Sequence, residues 1–116
     1  MHELSVSSAI VDTAVRHAGG KPVAVVTARI GHLRQVVPDS LRFYWGVVTR
    51  ETLCERARLD LELIPAWLEC RACELTWKAD AAAFRCPSCT SGDITVLSGE
   101  ELEVESIELE VDTCTA

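Results

Sequence analysis

The spacing of apolar residues changes several times along this chain, and each change marks an element. Leu4 and Val6 alternate with polar neighbours, so residues 3 to 7 predict a short strand. From Ile10 the spacing lengthens. Ile10, Val11, Ala14, Val15 and Ala18 recur at helical intervals, with Ser8 placed as N-cap and Gly19-Gly20 as the stop. Lys21-Pro22 leads into VAVVTARIG, a β-branched run predicting a strand with Val26, Ala28 and Ile30 on one face. Pro38-Asp39-Ser40 predicts a second helix, capped by Asp39 or Ser40, along which Leu41, Tyr44, Trp45 and Val48 share a side. Cys54 falls near the end of that helix as a small buried hydrophobe.

The second half reads mainly as strand. Arg58 to Leu63 alternates, with Leu59, Leu61 and Leu63 inward and Asp60 and Glu62 outward. Ile94 to Leu97 predicts a short strand after the turn at Thr90-Ser91-Gly92-Asp93. In the last strand Leu102 and Val104 share one parity, whereas Ile107, Leu109 and Val111 share the other. Both halves face one core only with a bulge near Glu105-Ser106 or a switch of sheet. The predicted order is β-α-β-α-β, a metal-stapled hairpin, then β. The expected class is α+β: a small antiparallel or mixed sheet closed by the first and last strands, carrying two helices, with an inserted zinc-ribbon-like β-hairpin. On this reading residues 1–66 and 93–116 form the α/β domain, and 67–92 the insert.

The insert carries the strongest chemical signal. Cys70-Arg71-Ala72-Cys73 and Cys86-Pro87-Ser88-Cys89 are two CxxC turns separated by twelve residues. Each such turn folds two thiolates round one side of an ion, and the spacer brings the second pair to the other side. Leu75, Trp77 and Phe84 are available to pack beneath the spacer. The chain has no histidine after His32, so local ligation is by sulfur alone. A closed Cys70, Cys73, Cys86, Cys89 set implies structural Zn(II), with no open position for catalysis. A rubredoxin-like iron carrier uses the same C-P-x-C element and stays open on these residues.

Charge narrows the partners. The formal net charge is −7, and four thiolates round zinc add to it, which disfavours a phosphate backbone. Residues 70 to 89 hold only Arg71, Lys78 and Arg85 against Glu74 and Asp80. A zinc-ribbon nucleic-acid or protein-interaction adaptor is therefore the alternative reading, and it lacks a basic face. The acids from Glu100 to Asp112 form the solvated side of the last strand or meet a basic partner. The N-terminus shows no basic and apolar signal pattern, and no run has the length to cross a bilayer. Two CxxC pairs then fit a reducing, cytoplasmic setting, with no membrane and no nucleic acid as partner. His17 and His32 read as surface residues, and no residue is assigned a catalytic role.

Met1-His2-Glu3 has its own chemistry. A free α-amine, the His2 amide nitrogen and the His2 imidazole close one five- and one six-membered chelate ring round a single ion. Three nitrogens in a plane suit Ni(II) or Cu(II), and Glu3 offers an oxygen nearby. Any chain can begin Met-His, so these residues alone favour an ordinary terminus. Met-His-Glu-Leu-Ser, a helix, a strand ending Ile30-Gly31, a helix containing Leu41-Arg42-Phe43, and the two CxxC turns nevertheless occur in one order. In this the chain resembles the HypA/HybF family of nickel-insertion proteins for [NiFe]-hydrogenase over essentially its full length. The resemblance implies a nickel-binding α/β domain with Ni(II) as transient cargo at Met1, His2 and Glu3, and a zinc domain. It also implies work with the GTPase HypB in loading the hydrogenase large subunit, with urease served in some relatives. Asp39 is similar in placement to an acidic residue of relatives, and His32 stands where relatives often have an acidic or small residue.

Overall fold

The computed structural model describes residues 2–79 and 84–111. Its elements are α1 (Glu3–His17), β1 (Val23–Gly31), a 3-10 turn (His32–Arg34), α2 (Pro38–Val48), β2 (Arg58–Ile64), β3 (Ala66–Cys70), β4 (Thr76–Ala79), β5 (Ile94–Ser98) and β6 (Leu102–Leu109). They form an α+β arrangement of two helices and two three-stranded sheets, ordered β2-β1-β6 and β4-β3-β5. By contacts the chain divides into two compact units. One takes residues 2–29, 36–62 and 103–111, and the other 30–35, 63–79 and 84–102. The unit containing Cys70, Cys73, Cys86 and Cys89 includes β5, which pairs with β3.

The expected strand at residues 3 to 7 is helix. Its inward positions, Glu3, Val6, Ser7, Ile10, Val11 and Ala14, keep a single helical period from the first turn. Five residues of alternation were too few to separate the two periods, and Leu4 proves to be exposed. His2, not Ser8, is the N-cap, and its carbonyl accepts from the Val6 N–H at 2.8 Å and the Ser5 hydroxyl at 3.0 Å. Ser7 is wholly buried and donates its hydroxyl to the Leu41 carbonyl at 3.3 Å, tying α1 to α2. With no strand at the chain start, the first sheet is not closed by the two ends; β6 lies beside β1.

Helix α2 is capped two residues before Asp39, the earlier of the two caps predicted. Val37 is the N-cap and Pro38 the first helical residue, where its fixed φ and missing N–H cost nothing. Asp39 makes no capping bond, though an acid in the first turn suits the helix dipole. Leu41 and Trp45 are buried as the stripe requires, and the Trp45 indole N–H donates to the Ala57 carbonyl at 3.0 Å. The helix ends at Val48, so Cys54 lies in the turns beyond it, fully buried.

In β1, Val23, Val26, Ala28 and Ile30 are buried. Arg29, on its open side, reaches Glu103 at 2.8 Å and Glu62 at 3.7 Å. β2 keeps Leu59 inward, but Leu63 is 56% exposed and Ile64 is buried in its place. In β6, Val104 is half-buried before Glu105-Ser106, and Ile107 and Leu109 after, so the parity does change. The strand stays in one sheet throughout. A register irregularity lies in the other sheet, between Trp67 and Leu68 opposite β5.

Candidate metal centres

The first CxxC turn is the bend of a hairpin. Cys70 ends β3, β3 pairs antiparallel with β4, and Cys73 lies in the connection between them. Among the described residues of the spacer, β4 pairs back on β3, the strand before the turn. Of Leu75, Trp77 and Phe84, only Trp77 packs on the Ala66, Leu68 and Ala79 cluster, whereas Leu75 and Phe84 are exposed. The second CxxC turn precedes β5, which pairs along the other side of β3 and sets Ile94 opposite Cys70.

The two turns repeat one backbone pattern. The Cys70 N–H donates to the Leu75 carbonyl at 2.8 Å and the Glu74 N–H to the Cys70 carbonyl at 2.8 Å. Sixteen positions on in sequence, the Cys86 N–H donates to the Ser91 carbonyl at 3.0 Å and the Thr90 N–H to the Cys86 carbonyl at 2.9 Å. Each turn closes through a left-handed residue, Glu74 at φ 63° and Thr90 at φ 62°. The backbone N–H groups of Ser88 and Cys89 also point at the Cys86 sulfur, at 3.4 and 3.5 Å. Arg71 joins the turns. Its N–H donates to the Asp93 carbonyl at 2.9 Å and its guanidinium to the Thr95 hydroxyl at 2.7 Å. Nothing in the sequence marked Arg71 for this task, since the register that brings β5 beside it is a tertiary fact.

All four sulfurs lie within 4.8 Å of one another, with Cys70–Cys89 and Cys73–Cys86 each at 3.5 Å. A tetrahedral ion with bonds of about 2.3 Å to sulfur sets its ligands about 3.8 Å apart. The set fits that geometry, and among the described residues it is the one group of three or more metal-ligating side chains. Without an ion the sulfurs share protons unequally. Desolvation is the largest influence on Cys86 and raises its pKa, but the Cys89 and Ser88 N–H groups and the neighbouring thiols bring it down to about 7. At Cys73 a backbone hydrogen bond at Leu75 is the largest influence and lowers the pKa. The Cys86, Cys70 and Cys89 sulfurs, with desolvation, outweigh it and push the value up to about 12. A divalent ion removes this conflict by replacing protons with one central charge.

The amino-terminal residues lie in the other unit. His2 is exposed at the head of α1, and Glu3 follows with 9% of its surface exposed. Met1 lies outside the described residues. An N-cap amide precedes the first intrahelical bond, so the His2 nitrogen is not consumed by the helix. His17 and His32 are exposed, as their sequence positions implied, and the His17 Nδ1 lies 2.8 Å from the Thr13 carbonyl. No described helix is long and apolar enough to cross a membrane.

Comparison with known proteins agrees along the whole chain. Residues 1–109 match the family described as "Hydrogenase/urease nickel incorporation, metallochaperone, hypA". The hydrogenase maturation factor HypA of Geobacter metallireducens is 40% identical over 110 residues, 95% of this chain and 100% of the relative. That of Roseiflexus sp. is 37% identical over 117 residues, 97% of this chain and 95% of the relative. The solution structure of the Ni metallochaperone HypA from Helicobacter pylori superposes with a TM-score of 0.69 at 26% identity, covering 97% of this chain and 100% of that one. Two helices, two small sheets, a four-sulfur cluster and a full-length match converge on one conclusion: the chain belongs to the HypA family, nickel metallochaperones of hydrogenase maturation, and is not an enzyme.

Proposed function

We propose that this chain carries Ni(II) at its first residues and holds Zn(II) as a structural ion at its four clustered cysteines. The observation that carries the nickel half is the family match over residues 1–109 in a chain that begins Met1-His2-Glu3 at the head of a helix. The α-amine, the His2 amide nitrogen and the His2 imidazole supply three nitrogens in a plane, with the Glu3 carboxylate adjacent. An α-amine pKa of about 7.7–8.0 makes its deprotonation inexpensive near neutrality. Zn(II) at Cys70, Cys73, Cys86 and Cys89 leaves no open coordination position, so it holds structure rather than reacting.

The cargo is delivered in the cytoplasm to the [NiFe]-hydrogenase large subunit, in concert with the GTPase HypB. Release follows when a partner distorts the planar chelate, which requires affinity no tighter than the acceptor's. Nickel titration of untagged protein and of protein extended by one residue before Met1 tests the reading. The untagged chain binds one nickel, and the extended chain loses it while zinc content and circular dichroism stay the same. Equal nickel binding by both would defeat the amino-terminal chelate.

A further inference from the structure

The four cysteines differ in exposure in a regular way. Cys70 and Cys86, the first of each turn, are buried, whereas Cys73 and Cys89, the second of each, are exposed. The close sulfur pairs run across the turns: exposed Cys73 lies 3.5 Å from buried Cys86, and exposed Cys89 lies 3.5 Å from buried Cys70. Each exposed cysteine therefore has a buried partner on the opposite turn, which is the arrangement of an attacked and a resolving cysteine.

We propose that the cluster is a peroxide-responsive site whose oxidation joins Cys73 to Cys86 and Cys89 to Cys70 and expels the zinc. The Cys73 thiolate attacks one oxygen of hydrogen peroxide, the O–O bond breaks, a sulfenic acid forms and hydroxide leaves. The Cys86 thiolate then attacks the Cys73 sulfur, the S–S bond forms, the S–O bond breaks and a second hydroxide leaves. Two thiolates are oxidised by two electrons, and one peroxide is reduced. The same pair of steps at Cys89 and Cys70 uses a second peroxide, and zinc departs as its ligands are consumed. Cross-turn bonds tether the same two segments that the ion tethered, so the unit keeps its topology after the metal leaves. Closure within each CxxC turn would instead release the turns from each other.

This inference rests on the zinc reading, and metal analysis of the isolated full-length chain checks that reading first. The chain is then treated with hydrogen peroxide in steps. Zinc release is followed with a chromogenic chelator, sulfenic acids are trapped with dimedone, and disulfides are mapped by mass spectrometry after alkylation. The expected result is one zinc released per chain, dimedone on Cys73 or Cys89, and Cys73–Cys86 and Cys70–Cys89 as the main disulfides. Dithiothreitol restores zinc uptake. Dominant Cys70–Cys73 and Cys86–Cys89 bonds, first labelling of Cys70 or Cys86, or zinc retained under peroxide would each overturn it. A chain isolated without zinc would refute the zinc reading instead, and the disulfide map would still decide the pairing.

Discussion

Gly31 passes against Gly99 so closely that a Cβ on Gly31 would sit 1.9 Å from the Gly99 carbonyl oxygen. The contact is backbone on backbone. The Leu33 N–H donates to that same oxygen at 2.8 Å, and the Gly31 N–H donates to the Glu101 carbonyl at 2.7 Å. Neither side of the crossing is a flexible side chain that can move away. Gly31→Ala is expected to cost about 1–3 kcal/mol or more by overpacking. Gly99 is constrained further, with φ 111° and the Ala66 Cβ 2.9 Å from its virtual Cβ. Urea unfolding of the variant checks this, and a midpoint equal to that of the parent would contradict the close approach.

Zinc removal should unfold the cysteine unit in preference to the other. Structural zinc supplies roughly 10–16 kcal/mol of apparent folding free energy in comparable small sites. The apolar cluster here is small, with Ala66, Leu68 and Ala79 buried and four partners half-buried. Buried side chains supply only about 1.5–3 kcal/mol each, so a bound ion would dominate. Cys73→Ser is expected to lose zinc and hydrogen-exchange protection over β3–β5 while α1 and α2 stay protected. One zinc per chain in that variant would remove Cys73 from the ligand set.

His2→Ala separates nickel from fold. The side chain is exposed and α1 draws its cap from the His2 carbonyl, which alanine retains. Nickel binding should fall to background with helicity and zinc unchanged, as read by titration and circular dichroism. Loss of helicity together with nickel would mean that the residue acts through the helix.

Periodicity was enough where burial is strict and too little where it is not. β1 and the Leu41–Trp45 stripe were legible because Val26, Ala28, Ile30, Leu41 and Trp45 are all buried, which rewards only one phase. Residues 3 to 7 were misread because the alternation rests on two apolar residues alone, and in the helix these lie on opposite sides, Val6 buried and Leu4 exposed. The inward Ser7 that decides for helix is a polar residue whose partner, the Leu41 carbonyl, is remote in sequence. The four clustered cysteines were legible as spacing. Their scaffold was not, since the pairing of β3 with both β4 and β5 is set by long-range register. The crossing of Gly31 and Gly99 is likewise invisible from either glycine alone.

Cys54 is fully buried, and burial pushes its thiol pKa above the ordinary 9.0. The folded chain holds that proton more tightly than the unfolded chain does. The resulting stabilisation is complete below pH 9.0 and is lost as pH rises through the folded value. Comparing the parent with Cys54→Ala between pH 8 and 11 isolates this contribution, since the variant should lose less stability on the alkaline side. In native protein at neutral pH, iodoacetamide should modify Cys54 only after denaturant is added. Rapid native labelling would show that the site is open.

Thr90 occupies a left-handed position that glycine fills at no steric cost. Its φ of 62° crowds a β-branched side chain, and its N–H must stay in place to bond the Cys86 carbonyl. Left-handed backbone costs an ordinary residue about 1–2 kcal/mol, and glycine returns about 0.5–1 kcal/mol of that through its freer unfolded chain. Thr90→Gly should therefore stabilise the zinc-loaded turn by roughly 0.5–1 kcal/mol, a two- to fivefold gain against a competing chelator. The hydroxyl's contact with the Cys89 carbonyl is local and exposed, so losing it subtracts little. Glu74 holds the matching position of the first turn at φ 63°, and Glu74→Gly should act in the same direction. Because Glu74 is not β-branched, its gain should be the smaller of the two. A drop in zinc affinity for both variants would mean that these side chains hold the turns by contacts that outweigh the backbone strain.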